Sequence, residues 1–162
     1  MPNDQAQTAA PQNAAGHAIS ASGKWTYRSY VNDTQLVGGD PNKALALIFG
    51  EGTMTLAEDS HGAVTGALDM GGGYLMTLTG QRRPVGGAGF AELSMVGRGV
   101  HGSPTDGWQY DYQAYPDPMW PKATAQVPTF VGTTIRAVPH NGEPAGVTAS
   151  IIMVYAGAAK GA

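Results

Sequence analysis

The stretch Trp108-Gln109-Tyr110-Asp111-Tyr112-Gln113-Ala114-Tyr115 decides the fold, because it alternates aromatic and polar side chains with a period of two. This period places Trp108, Tyr110 and Tyr112 on one face of a β-strand and polar residues on the other. The segment that follows, Pro116-Asp117-Pro118-Met119-Trp120-Pro121, cannot form a strand or a helix interior, so it is expected to be a loop. An aromatic strand beside an aromatic loop suits either a ligand cavity or a packed β core.

The rest of the chain consists of further short β patterns separated by Gly, Pro, Asn and Asp, with no convincing helical period. About eight or nine strands at nearly regular spacing, joined by brief turns, indicate an antiparallel meander, and closing a meander removes its exposed edges. We therefore predict an all-β fold, a single antiparallel up-and-down β-barrel of about eight strands. The predicted strands cover residues 24–31, 44–49, 53–58, 63–70, 74–81, 90–99, 108–115, 129–138 and 147–155.

Several predicted strands contain an interior glycine. These glycines are Gly66, Gly80, Gly97 and Gly132. In a barrel, glycine relieves crowding where a strand bends or coils, so neighbouring strands are expected to approach each other closely at these positions.

The two ends of the chain differ in composition from the middle. Residues 1–22 are polar and rich in Ala, Gln and Asn, which predicts a disordered tail, because they carry too little apolar surface to offset ordering. The barrel domain is predicted over residues 23–157, with a short tail at 158–162. Neither a secretory signal nor a membrane span of about 18 apolar residues is recognisable. A cytoplasmic location is expected as written, or an exported or periplasmic one if a signal peptide was removed.

The composition excludes several classes of function. There is no cysteine, which removes disulfides, thiolate catalysis and thiolate metal sites. The net charge is −3 and the basic residues are scattered, so nucleic acid is not an expected partner. Charged residues make up 13% of the chain, against about 25% in typical proteins. Surfaces so poor in charge tend to self-associate, and a homo-oligomer is a secondary expectation.

The start of the first predicted strand carries a family resemblance. Gly23-Lys24-Trp25 resembles the Gly-x-Trp that opens the first strand of lipocalin and avidin-like barrels, the calycin group. Thr105-Asp106, shortly before Tyr110, resembles the Thr-Asp-Tyr turn of lipocalins. The resemblance implies that Trp25 closes one end of the barrel and that an arginine of a late strand, here Arg136, packs across it. The chain has no C-terminal helix signal, which is closer to the avidin-like plan, but it lacks a recognisable set of biotin-contacting residues.

The side chains that face the barrel interior form the candidate ligand site. If Trp25 points inward, Tyr27 and Ser29 do so as well. A barrel of about eight strands is wide enough either to fill with side chains or to hold one small ligand. Aromatic and thioether side chains suit a planar or aliphatic ligand, with phenol hydroxyls fixing its orientation. The predicted ligand-binding residues are Trp25, Tyr27, Tyr74, Met76, Trp108, Tyr110, Tyr112, Trp120 and Arg136.

The loop around Trp120 has three interpretations: a lid over a barrel mouth, a subunit contact, or a cap on the edge of the core. The histidines fall in the tail, in turns or at strand ends, without the spacing of metal ligands. They are His17, His61, His101 and His140. Carboxylates such as Glu92 and Asp111 fall on outward phases, where they are solvated. We therefore predict no catalytic residues, no metal and no cofactor.

Three functions fit these features. The first is a barrel that binds a small hydrophobic or aromatic molecule, as lipocalin-like carriers do. The second is a barrel enzyme of isomerase or cyclase type, which ranks lower because few ionisable residues face the interior. The third is a structural or oligomeric assembly module that uses the low charge, the abundant glycine and the aromatic loop for subunit contacts.

Overall fold

The computed structural model describes residues 19–33, 39–85 and 90–159. In these residues, eight antiparallel strands pair in sequence order and the last pairs with the first, which closes the sheet. The predicted all-β, up-and-down barrel is confirmed. The strands are β1 (Gly23–Val31), β2 (Ile48–Glu58), β3 (Ala63–Asp69), β4 (Leu75–Val85), β5 (Phe90–Gly99), β6 (Gln109–Pro116), β7 (Thr129–Arg136) and β8 (Thr148–Gly157).

A single helical turn, α1 (Pro41–Leu45), lies between β1 and β2, where a loop and a short strand over 44–49 were expected. The Asp40 side chain caps it by accepting a hydrogen bond from the Asn42 amide at 3.0 Å. Pro41 suits the first helical turn, since the amide it lacks would have no partner there. A helix this short shows no period, so periodicity could not reveal it. Only residues 48 and 49 of the predicted strand 44–49 are extended, and they continue through the predicted strand 53–58 as one strand, β2.

Alternate residues of the strands face the interior, which is where the core lies. Trp25, Tyr27 and Ser29 of β1 are all buried, as the strand phase predicted. The other strands add mainly aliphatic and thioether side chains, so most of the interior is filled by protein. This filling includes Met54, Leu56, Val64, Leu68, Met76, Leu78, Leu93, Met95, Phe130, Ile151 and Met153.

The end of the barrel where β1 begins is sealed by aromatic packing, and we call it the closed end. Trp25 is fully buried there, with its ring centroid 5.0 Å from that of Phe130 and 5.2 Å from that of Tyr155. Its indole Nε1 donates a hydrogen bond to the Ala21 carbonyl at 2.8 Å. The opposite end, formed by the β1–β2, β3–β4, β5–β6 and β7–β8 connections, is called the open end.

Arg136 does not pack across Trp25, so this part of the resemblance was wrong. Strand β7 runs from Phe130 near the closed end to Arg136 at the open end. At about 3.3 Å per residue, roughly 20 Å of strand separates the two positions. Phe130 and Tyr155 cover Trp25 instead.

Residues 19–22 join the barrel at the closed end, ahead of the predicted domain start, and residues 1–18 of the predicted tail lie outside the described residues. Ala21 is fully buried, and Glu58 holds this segment with a carboxylate that is only 5% exposed. The carboxylate accepts hydrogen bonds from the Ser20 hydroxyl at 3.0 Å, the Ala21 amide at 2.8 Å and Arg82 Nε at 2.5 Å. Glu58 therefore ties β2, β4 and the entering chain together.

We expect Glu58→Gln to lower the free energy of unfolding by about 1–3 kcal/mol, since it removes a charge that is paired while nearly buried. Urea denaturation measures the change. Glu51→Gln is the matched control, because the Glu51 ion pair with Arg28 spans 3.6 Å between side chains that are about 60% exposed. The control is expected to stay within about 0.5 kcal/mol of the parent protein. Equal losses in both variants would contradict this role for Glu58.

Interior glycines mark places where neighbouring strands approach closely, as predicted. A Cβ atom at Gly132 would lie 2.0 Å from the Gln113 carbonyl oxygen, and one at Gly80 would lie 2.1 Å from that of Ser94. Each contact involves the backbone of the adjacent strand, which no side-chain rotation can relieve. Glycine at these positions allows the strands to coil tightly enough for the barrel to close.

Candidate ligand site at the open end

A cleft enters the barrel from the open end. Its cavity volume is only about 40 Å³, enough for a few water molecules, within about 300 Å³ of space that includes the part open to solvent. The barrel is therefore a filled core with a shallow aromatic cleft above it. The cleft is lined by Tyr27, Ser29, Phe49, Gly50, Leu68, Met70, Trp108, Tyr110 and Tyr112.

Two deeply buried phenols belong to the lining. The rings of Tyr27 and Tyr112 meet edge to face with centroids 6.2 Å apart. Burial raises the pKa of Tyr27 to about 12 and holds the pKa of Tyr112 well above its usual value. Both hydroxyls therefore keep their protons at neutral pH and can donate hydrogen bonds.

The β5–β6 turn positions Trp108 at the rim of the cleft. The buried Thr105 hydroxyl donates to the Leu75 carbonyl, and the Trp108 amide donates to the Thr105 carbonyl at 2.9 Å. Asp106 accepts a hydrogen bond from the Gly102 amide at 3.0 Å, which closes the turn. The Thr-Asp pair noted in the sequence thus fixes the entry to the aromatic strand β6.

His140 reaches the cleft from the β7–β8 connection. Asn141 and Gly142 have φ angles of 53° and 77°, the conformation of a tight hairpin turn for which Asn-Gly is favoured. This turn places the His140 ring on Trp108, with centroids 4.1 Å apart and planes 16° from parallel. It also brings His140 Nε2 to 2.7 Å from the Tyr110 hydroxyl.

Arg136 provides a nearly buried positive charge beside the same hydroxyl. Its Nε donates to the Tyr110 hydroxyl at 3.4 Å, and its Nη1 donates to the Pro144 carbonyl at 3.1 Å. The guanidinium carbon lies 5.3 Å from the centre of the Phe49 ring, in cation–π range. The Glu143 carboxylate is 3.8 Å away and 64% exposed, so solvent weakens its compensation of this charge.

The protonation states around Tyr110 follow from burial and from Arg136. Burial, with a smaller effect of the Arg136 charge, lowers the pKa of His140, so the imidazole is neutral at pH 7. Burial raises the pKa of Tyr110, while Arg136 opposes that rise. At neutral pH the cluster therefore contains a phenol, a neutral imidazole and one guanidinium cation.

The structure brings together only some of the residues predicted for the site. Tyr27, Trp108, Tyr110 and Tyr112 line one cleft, and Arg136 contacts Tyr110 beside it. Tyr74 is 42% exposed at the rim, with its ring 5.9 Å from that of Trp108. The remaining two positions that point into the barrel, Trp25 and Met76, are buried in the core and are not part of the cleft lining.

Trp120 lies apart from this cluster. It sits in the β6–β7 loop, which leaves the barrel at the closed end, and its side chain is 76% exposed. The suggestion that it forms a lid over the aromatic cleft was therefore wrong, because the cleft opens at the other end. A role in subunit contacts stays a prediction.

His140 and Phe49 are the contributors that the sequence analysis missed. The position of His140 in a turn is typical of a surface histidine, and Phe49 was assigned to a separate apolar strand. The predicted topology could nevertheless have indicated His140, because the β5–β6 and β7–β8 connections of a meander leave the barrel at the same end. The turn that carries His140 and the start of the aromatic strand are thereby placed together.

Comparison with protein-family models, curated proteins and solved structures found no match. Within residues 19–33, 39–85 and 90–159, no three His, Cys, Asp or Glu side chains are arranged to hold a metal ion. The same residues contain no helix long and apolar enough to span a membrane. The closed antiparallel barrel is consistent with a calycin-like architecture.

Proposed function

We propose that the protein is a lipocalin-like binding barrel for a small aromatic or hydrophobic molecule, held in the cleft at the open end. The observation that carries this proposal is an apolar cleft that reaches solvent and combines aromatic walls with tyrosine hydroxyls. Ligand sites commonly have this composition, with apolar walls for affinity and a few polar groups for orientation.

The size of the cleft restricts the ligand. The cavity volume of about 40 Å³ accepts only part of an aromatic ring, since an apolar cavity that holds benzene measures about 150 Å³. A single-ring compound would insert one edge between Tyr27 and Phe49 and leave the rest near Trp108. Larger carrier ligands would need the rim to move, so one ring is the favoured size.

Gly50→Ala tests this proposal, because it adds a methyl group to the cleft lining without a clash. A Cβ atom there would lie 3.5 Å from Ser29 Oγ and 3.7 Å from Met70 Sδ, which is ordinary contact. We expect about tenfold weaker binding of single-ring compounds such as benzene or toluene, since overpacking costs about 1–3 kcal/mol and a tenfold change in affinity corresponds to about 1.4 kcal/mol. Quenching or enhancement of tryptophan fluorescence measures the dissociation constant.

Trp120→Phe is the control for this titration, because it removes an exposed fluorophore far from the cleft and is expected to preserve binding. Thermal unfolding of Gly50→Ala checks that its stability is within about 0.5 kcal/mol of the parent protein. Absence of saturable binding across a panel of single-ring compounds would overturn the proposal. If Gly50→Ala binds these compounds as tightly as the parent protein does, the binding site lies outside the cleft.

The contact between Tyr110 and His140 supports a second candidate, an enzyme of isomerase type. A phenol and a neutral imidazole 2.7 Å apart at the edge of a cleft can pass a proton. Among the described residues, those that line the cleft include no carboxylate, so His140 would have to serve as the base. Deuterium uptake at the α-carbon of an aryl ketone in heavy water distinguishes this candidate from a carrier.

The assembly alternative is supported by exposed apolar side chains near the closed end. Met119 and Trp120 in the β6–β7 loop are 39% and 76% exposed. Mass measurement over a dilution series tests it, because a monomer at all micromolar concentrations removes the assembly role and leaves the binding proposal unaffected.

A further inference from the structure

The hydrogen bonds of the Tyr110 hydroxyl restrict what the cleft can bind. This hydroxyl has two nitrogen neighbours, His140 Nε2 at 2.7 Å and Arg136 Nε at 3.4 Å. Arginine can only donate, so its Nε–H points at the phenol oxygen. A phenol has one proton to donate and two lone pairs to accept with, so the tautomer of His140 decides where the Tyr110 proton goes.

The other ring nitrogen of His140 indicates the tautomer. Nδ1 is buried and has no hydrogen-bond partner among the described residues. If Tyr110 donated to Nε2, the neutral imidazole would carry its proton on Nδ1, which would leave a buried N–H donor unpaired. If Nε2 carries the proton, only a lone pair is left unpaired. Orphaned buried N–H donors are the rarer of the two, so the second tautomer is favoured.

In this tautomer both nitrogens donate to the Tyr110 oxygen, and the phenol proton is left without an acceptor in the cluster. Tyr110 lines the cleft, where its proton is available to a ligand. The Ser29 hydroxyl also lines the cleft, but its proton is not available to a ligand, because it donates to the Gly50 carbonyl at 3.1 Å. The positive charge of Arg136 lies beside the donor, since its Nε contacts the same oxygen.

We propose that the cleft selects single-ring phenols, with phenolates preferred over neutral phenols, and that Tyr110 donates the recognising hydrogen bond to the phenol oxygen. This proposal rests on the proposed binding function and specifies its ligand class. The positive charge of Arg136 polarises the Tyr110 hydroxyl. The hydroxyl therefore donates a stronger hydrogen bond to an anionic oxygen than to a neutral one. A site that presents a buried donor also rejects analogues that lack the oxygen, because its donor is then left unpaired.

Para-nitrophenol and para-nitrotoluene form a matched pair of probes, since they differ only in a hydroxyl against a methyl group. Both are titrated into the full chain carrying Trp120→Phe, with tryptophan quenching as the binding signal. The colour of para-nitrophenol reports its ionisation. We expect the phenolate to bind at least about tenfold more tightly than para-nitrotoluene, because only the phenolate accepts a charge-assisted hydrogen bond from Tyr110. The apparent pKa of the bound nitrophenol is expected to fall below its value in water.

Tyr110→Phe keeps the ring and removes the donor. We expect this variant to bind the two probes with nearly equal affinity and to raise the apparent pKa of bound nitrophenol, as an apolar site does. Its affinity for para-nitrotoluene is expected to equal or exceed that of the parent protein, because no Tyr110 donor is left unpaired, and this shows that the cleft is intact.

The outcomes separate this proposal from the binding function. If both probes bind equally well to the parent protein, or if the phenolate preference persists in Tyr110→Phe, the proposal is overturned while the binding function stands. Failure of both probes to bind the parent protein overturns both. The pKa shift of the bound probe is measured on the chain that keeps Tyr110, so the test does not depend on the folding of Tyr110→Phe.

Discussion

Replacing Trp25 by alanine is expected to lower the free energy of unfolding by about 3–5 kcal/mol, the largest stability effect of a single truncation in this barrel. Trp25 is fully buried between the rings of Phe130 and Tyr155, and it donates a hydrogen bond to the Ala21 carbonyl. Its loss leaves a cavity that both rings border and an unpaired carbonyl at the closed end. Urea denaturation followed by circular dichroism measures the change.

Trp120→Ala removes the same side chain from an exposed position and is the matched control. Its side chain is 76% exposed, so the free energy of unfolding is expected to change by less than about 0.5 kcal/mol. Similar losses from the two substitutions would show that Trp25 does not hold the closed end together.

Gly132→Ala is expected to destabilise the barrel by about 3 kcal/mol or more, although it adds only one methyl group. The added Cβ would lie 2.0 Å from the Gln113 carbonyl oxygen and 2.6 Å from Ala114 Cα, so β6 and β7 must move apart. A closed barrel has no edge strand that can shift alone, so separating β6 from β7 also displaces the neighbouring strand pairs. Thermal unfolding detects the loss.

Gly50→Ala is the matched control for that substitution, because the methyl group it adds meets its nearest neighbour at 3.5 Å. Its midpoint of thermal unfolding is expected to stay close to that of the parent protein. If both alanine variants lose the same stability, the loss does not come from the close approach of β6 and β7.

The sequence predicted the barrel because its signals are local and repeated. Alternation along the aromatic strand predicted which residues of β6 face inward, and the Gly-x-Trp opening predicted the burial of Trp25. Helix α1 was missed because a single turn depends on one cap and one proline, which leave no periodic trace. Local patterns predict elements longer than about two turns far better than shorter ones.

The site was only partly predictable, because it depends on which end of the barrel each residue reaches. Tyr110 and Tyr112 were recognised from their strand phase, but phase does not reveal height along the barrel axis. Arg136 was therefore assigned to Trp25, although it contacts Tyr110 at the other end. His140 was missed because its role depends on the tight turn that lays it on Trp108, a contact between residues distant in sequence.

The order of the strands has a consequence for how the chain folds as it is synthesised. Each of the strands β2 to β8 can pair with the strand made just before it, so the sheet can grow hairpin by hairpin. Trp25 is an exception, because its ring partners Phe130 and Tyr155 belong to the last two strands. The first large side chain of the barrel to leave the ribosome is thus among the last to be buried. Until β7 and β8 emerge, a nascent chain lacks both rings that cover this indole in the folded barrel.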